Sequence, residues 1–277
     1  MQSHIIAAIL LLLVFAQACK QEPIAPVDTR QEIATARLTG FGLDLHLWSA
    51  TSDDTLYTGY QPLSFTLTAA GETTPLHATT LYQDYQITVQ PLMHMPTMKH
   101  SAPVEQATAA DTDGHYPFAV VFTMPGDAMS RWELIVKVRR GSDGMEEEVV
   151  LPVSVADPTL ACLRKLVAAD DSSKIFVSLV APAAPAVGIN PFEVAVHYKA
   201  SMMRFPALEG ITVEIEPEMP SMGHGSPNNV HPTHTREGHY AGRVNFTMDG
   251  EWLIHVRLFR GGVAIGETDF TIVFQVR

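Results

Sequence analysis

Through most of the chain, apolar side chains recur at every second position. The first half carries Leu43, Leu45 and Leu47; Leu63, Phe65 and Leu67; Tyr85, Ile87 and Val89; Tyr116, Phe118, Val120 and Phe122; Trp132, Leu134, Val136 and Val138; and Val149, Leu151, Val153 and Val155. The second half resumes with Ile175, Val177 and Leu179; Phe192, Val194 and Val196; Ile211, Val213 and Ile215; Tyr240, Val244 and Phe246; Trp252, Ile254, Val256 and Leu258; and Phe270, Ile272 and Phe274. A period of two, broken by Gly, Pro, Asp and Asn, predicts half-buried antiparallel strands. Six or seven strands over roughly 110 residues in each half is the count of an immunoglobulin-like sandwich. One helix is expected, over 160–169, between Asp157-Pro158 and Asp170-Asp171-Ser172-Ser173.

The halves repeat each other. Met219-Pro220-Ser221-Met222-Gly223-His224 echoes Met95-Pro96-Thr97-Met98-Lys99-His100 at a displacement of 124 residues. The same displacement aligns Pro103 with Pro227, Gly114-His115-Tyr116 with Gly238-His239-Tyr240, and Met124 with Met248. Trp132 matches Trp252, and Gly59-x-x-Pro62 matches Gly188-x-x-Pro191, after small changes of offset. A repeat this long predicts two copies of one domain, each with its own core. The expected fold is all-β: two tandem immunoglobulin-like β-sandwich domains, at 38–156 and 174–277, joined by a connector at 157–173.

A signal peptide (1–18) and a tether (19–37) are expected to precede them. Residues 5–15 form a nearly unbroken apolar run, too short to span a bilayer and suited to a signal-peptide core. Ala16-Gln17-Ala18-Cys19 resembles the bacterial lipoprotein signal, in which Cys19 is lipidated; cleavage after Ala18 by the ordinary route is the alternative. By the same resemblance, Lys20 after Cys19 favours the outer membrane of a Gram-negative bacterium. Pro23 and Pro26 suit a flexible tether.

Charge narrows the partners. Thirty acidic against 18 basic residues leave a net charge of -12, which argues against nucleic acid and against a bare anionic membrane surface. With Cys19 lipidated, Cys162 has no intramolecular partner and reads as a small packing residue. No G-x-S-x-G elbow, Gly-rich phosphate loop or repeated carboxylate pair is present, so no enzyme activity is expected.

The candidate chemistry is methionine and histidine. The two stretches 93–124 and 219–248 hold seven of the twelve Met and seven of the twelve His, an enrichment well above their share of the chain. If each motif ends one arm of a hairpin and Gly-His-Tyr opens the other, Met95 lies near Tyr116, and Met98 and His100 near His115. The second copy gathers Met219, Met222, His224 and His239 likewise, and adds His231 and His234. Thioether with imidazole is a soft to borderline ligand set suited to copper. Hard cations need clustered carboxylates and structural zinc four closed Cys or His ligands. The competing reading is packing: Met before Pro at a strand end plugs a sandwich, with Met95 and Met219 the foremost cases, and loop histidines are solvated.

The order Gly-x-x-Pro, Met-Pro-x-Met-x-His, Gly-His-Tyr, Thr-Met and Trp-x-x-x-Val resembles the YtkA-like and FixH-like domains, small sandwiches of bacterial membrane proteins. The resemblance covers 188–274 and, less closely, 59–155. It implies a link to copper handling or cytochrome oxidase assembly and no catalytic residues. The sequence reading is a lipid-anchored, extracytoplasmic copper-binding protein working with a copper-handling or oxidase-assembly partner. The alternative is a structural or adhesive lipoprotein that binds a protein partner without metal.

Overall fold

The computed structural model describes residues 30–50, 54–72, 84–168, 172–266 and 269–277. The expected signal peptide, Cys19 and the first part of the tether lie outside the described residues.

The first half contains β1 (Gln31–Leu38), β2 (Leu43–Ser49), β3 (Leu56–Tyr57), β4 (Gly59–Ala69), β5 (Tyr85–His94), β6 (Lys99–His100), β7 (Val104–Glu105), β8 (Tyr116–Phe122), β9 (Arg131–Arg140), β10 (Glu146–Val153) and β11 (Val155–Ala156). The second contains β12 (Leu163–Val167), β13 (Lys174–Ala181), β14 (Gly188–Tyr198), β15 (Thr212–Met219), β16 (His224–Gly225), β17 (Val230–Arg236), β18 (His239–Phe246), β19 (Gly250–Arg260), β20 (Val263–Ala264) and β21 (Phe270–Val276). One sheet of each sandwich repeats the same order, β1-β2-β4-β8-β7 in the first and β12-β13-β14-β18-β17 in the second. The facing sheets are β10-β9-β5-β6 and β16-β15-β19-β20, with β21 also on β19. The alternating residues of each half fill a separate core.

Two elements differ from expectation. β1 occupies part of the expected tether and pairs with β2 from Gln31↔Ser49 to Leu38↔Leu43. Its signal is weak because it is an edge strand with mostly exposed or half-exposed side chains, and such a strand needs few large apolar residues. Within the expected helix at 160–169, Leu163–Val167 form strand β12, paired with β13 from Leu163↔Ser178 to Val167↔Lys174. A short apolar run has no period that separates strand from helix, and here the open edge of β13 decides. β12 holds the place in its sheet that β1 holds in the first, so the expected connector contains the opening strand of the second sandwich.

The glycines of the Gly-x-x-Pro pairs have a backbone reason. Gly59 and Gly188 open β4 and β14 at φ of 108° and 111°, a region closed to most L-residues, and lie opposite Phe122 and Phe246. Beside those rings sit Trp132 and Trp252, 1% and 0% exposed. Truncating either Trp to Ala would cost about 3–5 kcal/mol.

Candidate functional site

The strand leading into each motif sets its phase. Val89-Gln90-Pro91-Leu92-Met93 and Ile215-Glu216-Pro217-Glu218-Met219 run along equivalent strands, with Pro91 opposite Leu134 on β9 and Pro217 opposite Ile254 on β19. Met93 then stands opposite Trp132 and is fully buried. Met219 is 4% exposed in the second core. The structural counterpart of Met219 is therefore Met93, not Met95. Both are core residues.

After these methionines the chain turns and β6 and β16 return, placing His100 opposite Met93 and His224 opposite Met219. The first turn is two residues longer, closed by Met95 N–H donating to the Met98 carbonyl at 3.0 Å. Met95 is carried past the strand end and packs half-buried against the first core. In the second turn the N–H groups of Met222 and Gly223 both donate to the Met219 carbonyl, at 3.1 and 2.9 Å. Met98 and Met222 project at the turn tips, 48% and 61% exposed.

The two histidines have matching surroundings. His100 Nδ1 lies 2.7 Å from the Ser101 carbonyl, and His224 Nδ1 2.8 Å from that of Gly225. A carbonyl only accepts, so Nδ1 donates to it, and in the neutral ring Nε2 is the nitrogen with the lone pair. Each ring meets a buried indole edge-on, Trp132 at 5.5 Å and Trp252 at 5.9 Å between centroids. Each indole N–H donates to a methionine carbonyl, Met124 at 2.9 Å and Met248 at 3.1 Å. In the first copy the side chain of that methionine completes the group: Met124 Sδ is 3.4 Å from His100 Nε2. An imidazole nitrogen and a thioether sulfur this close make a pair of donors that a soft cation could share. Zn²⁺ holds imidazole nitrogen at about 2.0 Å and thiolate sulfur at about 2.3 Å, so donors 3.4 Å apart can share one ion of similar size. Met124 and Met248 are half-buried at the core's edge.

The expected hairpin does not form. β5 and β8 lie in different sheets, as do β15 and β18, because the chain crosses the sandwich between β6 and β7 and again between β16 and β17. His115 and His239 are thereby separated from the motif turns. His115 is buried, with Nδ1 2.9 Å from Ser64 Oγ and its ring against Trp48. His239 is fully buried between Glu193 and Glu105, the latter from the first sandwich. His231 is a fastener: its Nδ1 accepts the Ile215 N–H at 3.1 Å. Gln106 does the same in the first copy, accepting from Val89 N–H and donating to its carbonyl. His234 is exposed on β17, its ring against Tyr240 and its Nε2 3.6 Å from Glu209. The imidazole-rich second site expected from His231, His234 and His239 is thus not assembled.

Among the described residues no group of three or more His, Cys, Asp and Glu is placed to hold a metal ion. A groove of about 350 Å³ beside His224 is lined by Glu216, Glu218, His255 and Asp269. His255 bridges Glu218 and Asp269 at 2.8 Å each. Partial burial lowers its pKa, but those two hydrogen bonds outweigh burial and raise it. The sequence hides this cluster because its members come from three different strands or their flanks.

No curated protein shows a significant match to the chain. Among solved structures, the chain is similar to invasin, a bacterial integrin-binding protein (15% identity, TM-score 0.26, 85% of this chain and 39% of that one). It is similar also to FdeC, an Escherichia coli adhesin (14%, TM-score 0.27, 85% and 74%), and to domains 5–6 of the S-layer protein SbsC (10%, TM-score 0.30, 80% and 91%). The chain spans well under half of the invasin chain, and no functional inference rests on these likenesses. The sequence model of the YtkA-like family matches residues 170–257, so the second sandwich, with His224, Trp252 and Met248, is the part of the chain similar to that family.

Proposed function

We propose that the protein is an extracytoplasmic Cu(I)-binding protein, lipid-anchored through Cys19, that buffers or passes on copper without turnover. On this reading the first sandwich is a second, diverged copy of the YtkA-like domain. The observation that carries the reading is the contact of His100 Nε2 with Met124 Sδ, 3.4 Å apart, with a histidine, an indole and a methionine carbonyl recurring together around His224. Copper is the cargo. His100 and Met124 form the fixed part of the first site, His224 holds the matching place in the second, and the exposed thioethers of Met98 and Met222 stand at the turn tips as further donors. Thioether and neutral imidazole favour Cu(I) over Zn²⁺.

The test is a competition titration of the purified protein with a Cu(I) chelator under reducing conditions at neutral pH. The expected result is uptake of up to two equivalents, falling by one in His100→Ala or His224→Ala. No uptake by the wild-type protein would sink the proposal and leave the structural or adhesive lipoprotein in its place.

A further inference from the structure

The two sandwiches meet through a charge cluster around the buried His239. His239 is fully buried, yet both ring nitrogens face carboxylates: Nδ1 meets Glu193 on β14 of its own sheet, and Nε2 meets Glu105 on β7 of the other sandwich. Glu105 Oε2 also accepts from Arg236 Nη1 at 3.0 Å and from the Tyr60 hydroxyl at 3.1 Å. The Tyr60 ring, on β4 of the first sandwich, meets the His239 imidazole edge-on at 5.6 Å. Among the described residues a further titratable neighbour is His197 on β14, buried and held neutral by burial, its pKa down to about 4.

An imidazole offers two N–H donors only as the cation. Neutral His239, itself fully buried, would turn a lone pair towards one of the two carboxylates. The charges also balance only in the protonated state, two cations (His239, Arg236) against two anions (Glu105, Glu193). We propose that protonated His239 is the latch that docks the two sandwiches, and that its deprotonation removes one of its two carboxylate bonds and loosens the joint.

Burial disfavours the cation, but the hydrogen bonds to Glu105 and Glu193 prevail and raise the pKa of His239 above its ordinary 6.5. A raised histidine pKa means that the docking contribution is complete below about pH 6.5 and is lost as pH climbs through the folded-state value. The inference stands apart from the copper reading and is tested on metal-free protein.

A reporter is already built in: Ser101 N–H donates across the joint to the Met202 carbonyl at 2.8 Å. Amide exchange of Ser101 in the full chain, followed by NMR and corrected for intrinsic base catalysis, measures docking directly. Protection should be constant below pH 6.5 and fall at least tenfold by pH 9. Glu105→Gln should be poorly protected already at pH 6, while Val136 and Val256, in the two separate cores, stay protected. Ser101 protection that is flat from pH 6 to 9 in the wild type would overturn the proposal, with no variant needed. Wild-type protection in Glu105→Gln at pH 6 would overturn it independently.

Discussion

The terminal methyl of Met219 lies where a side chain on Gly250 would go, 2.8 Å from the ideal Cβ position. Gly250 also sits at φ 121°, which few L-residues adopt. Backbone strain is the larger obstacle, since a methionine tip moves more easily than a main chain. Gly250→Ala is therefore expected to destabilise the second sandwich by about 1–3 kcal/mol. In a urea double-mutant cycle, Met219→Ala should be partly compensatory, with a coupling of at least ~0.5 kcal/mol. Strict additivity would show that the methyl is not the neighbour that matters.

The depth of the two motif methionines separates packing from exposure. Met219→Ala should cost about 2–5 kcal/mol, as for any buried large-to-small change. Met222→Leu, at an exposed tip, should stay within about 0.5 kcal/mol of wild type. Thermal unfolding of metal-free protein reads both. On the copper reading Met222→Leu nonetheless weakens Cu(I) binding, and a variant that binds as wild type would remove that thioether from the site.

Met124→Leu keeps shape and apolarity and removes the sulfur facing His100 Nε2. Cu(I) affinity of the first site should fall about tenfold or more, with the second site unaffected. The His100 imidazole should remain placed by Ser101 and Trp132. Equal losses at both sites would mean that they are not separate.

His231 and Gln106 are interchangeable fasteners. His231→Gln should be near neutral for stability, and His231→Ala should cost about 1 kcal/mol through the orphaned Ile215 N–H. Neither should alter metal binding. A loss of copper in His231→Gln with stability intact would return His231 to the ligand set.

Acid should unfold the protein partly through His197. Its Nδ1 is buried without a hydrogen-bond partner among the described residues, and burial holds its pKa at about 4. The unfolded chain takes this proton near pH 6.5 and the folded chain refuses it until about 4. Stability is therefore full above 6.5 and declines as pH falls from 6.5 towards 4, by about 2–3 kcal/mol. His197→Gln should flatten that limb in a series of melts. The contribution of His239 has the opposite sign and acts above 6.5, so the optimum lies near the ordinary histidine pKa.

The alternation of apolar residues by itself determined the central strands and both cores, because burial of one sheet face imposes a period of two on any sequence that supplies it. The repeat of Gly59-x-x-Pro62 as Gly188-x-x-Pro191, and of Trp132 as Trp252, marked equivalent backbone and core positions directly. Even the correct partner of Met219 was legible, since Val89-Gln90-Pro91 and Ile215-Glu216-Pro217 carry the strand phase into Met93, and a gapless alignment on Met-Pro overrides it. Only the tertiary structure decided which strands neighbour one another. The crossing between β6 and β7, and again between β16 and β17, sends His115 and His239 to the opposite sheet from the motif. The edges open beside β2 and β13 recruit β1 and β12 from stretches with little pattern of their own. His239 takes its partner Glu105 from 134 positions away in the other sandwich, and no local period encodes a contact that exists only once two finished domains dock.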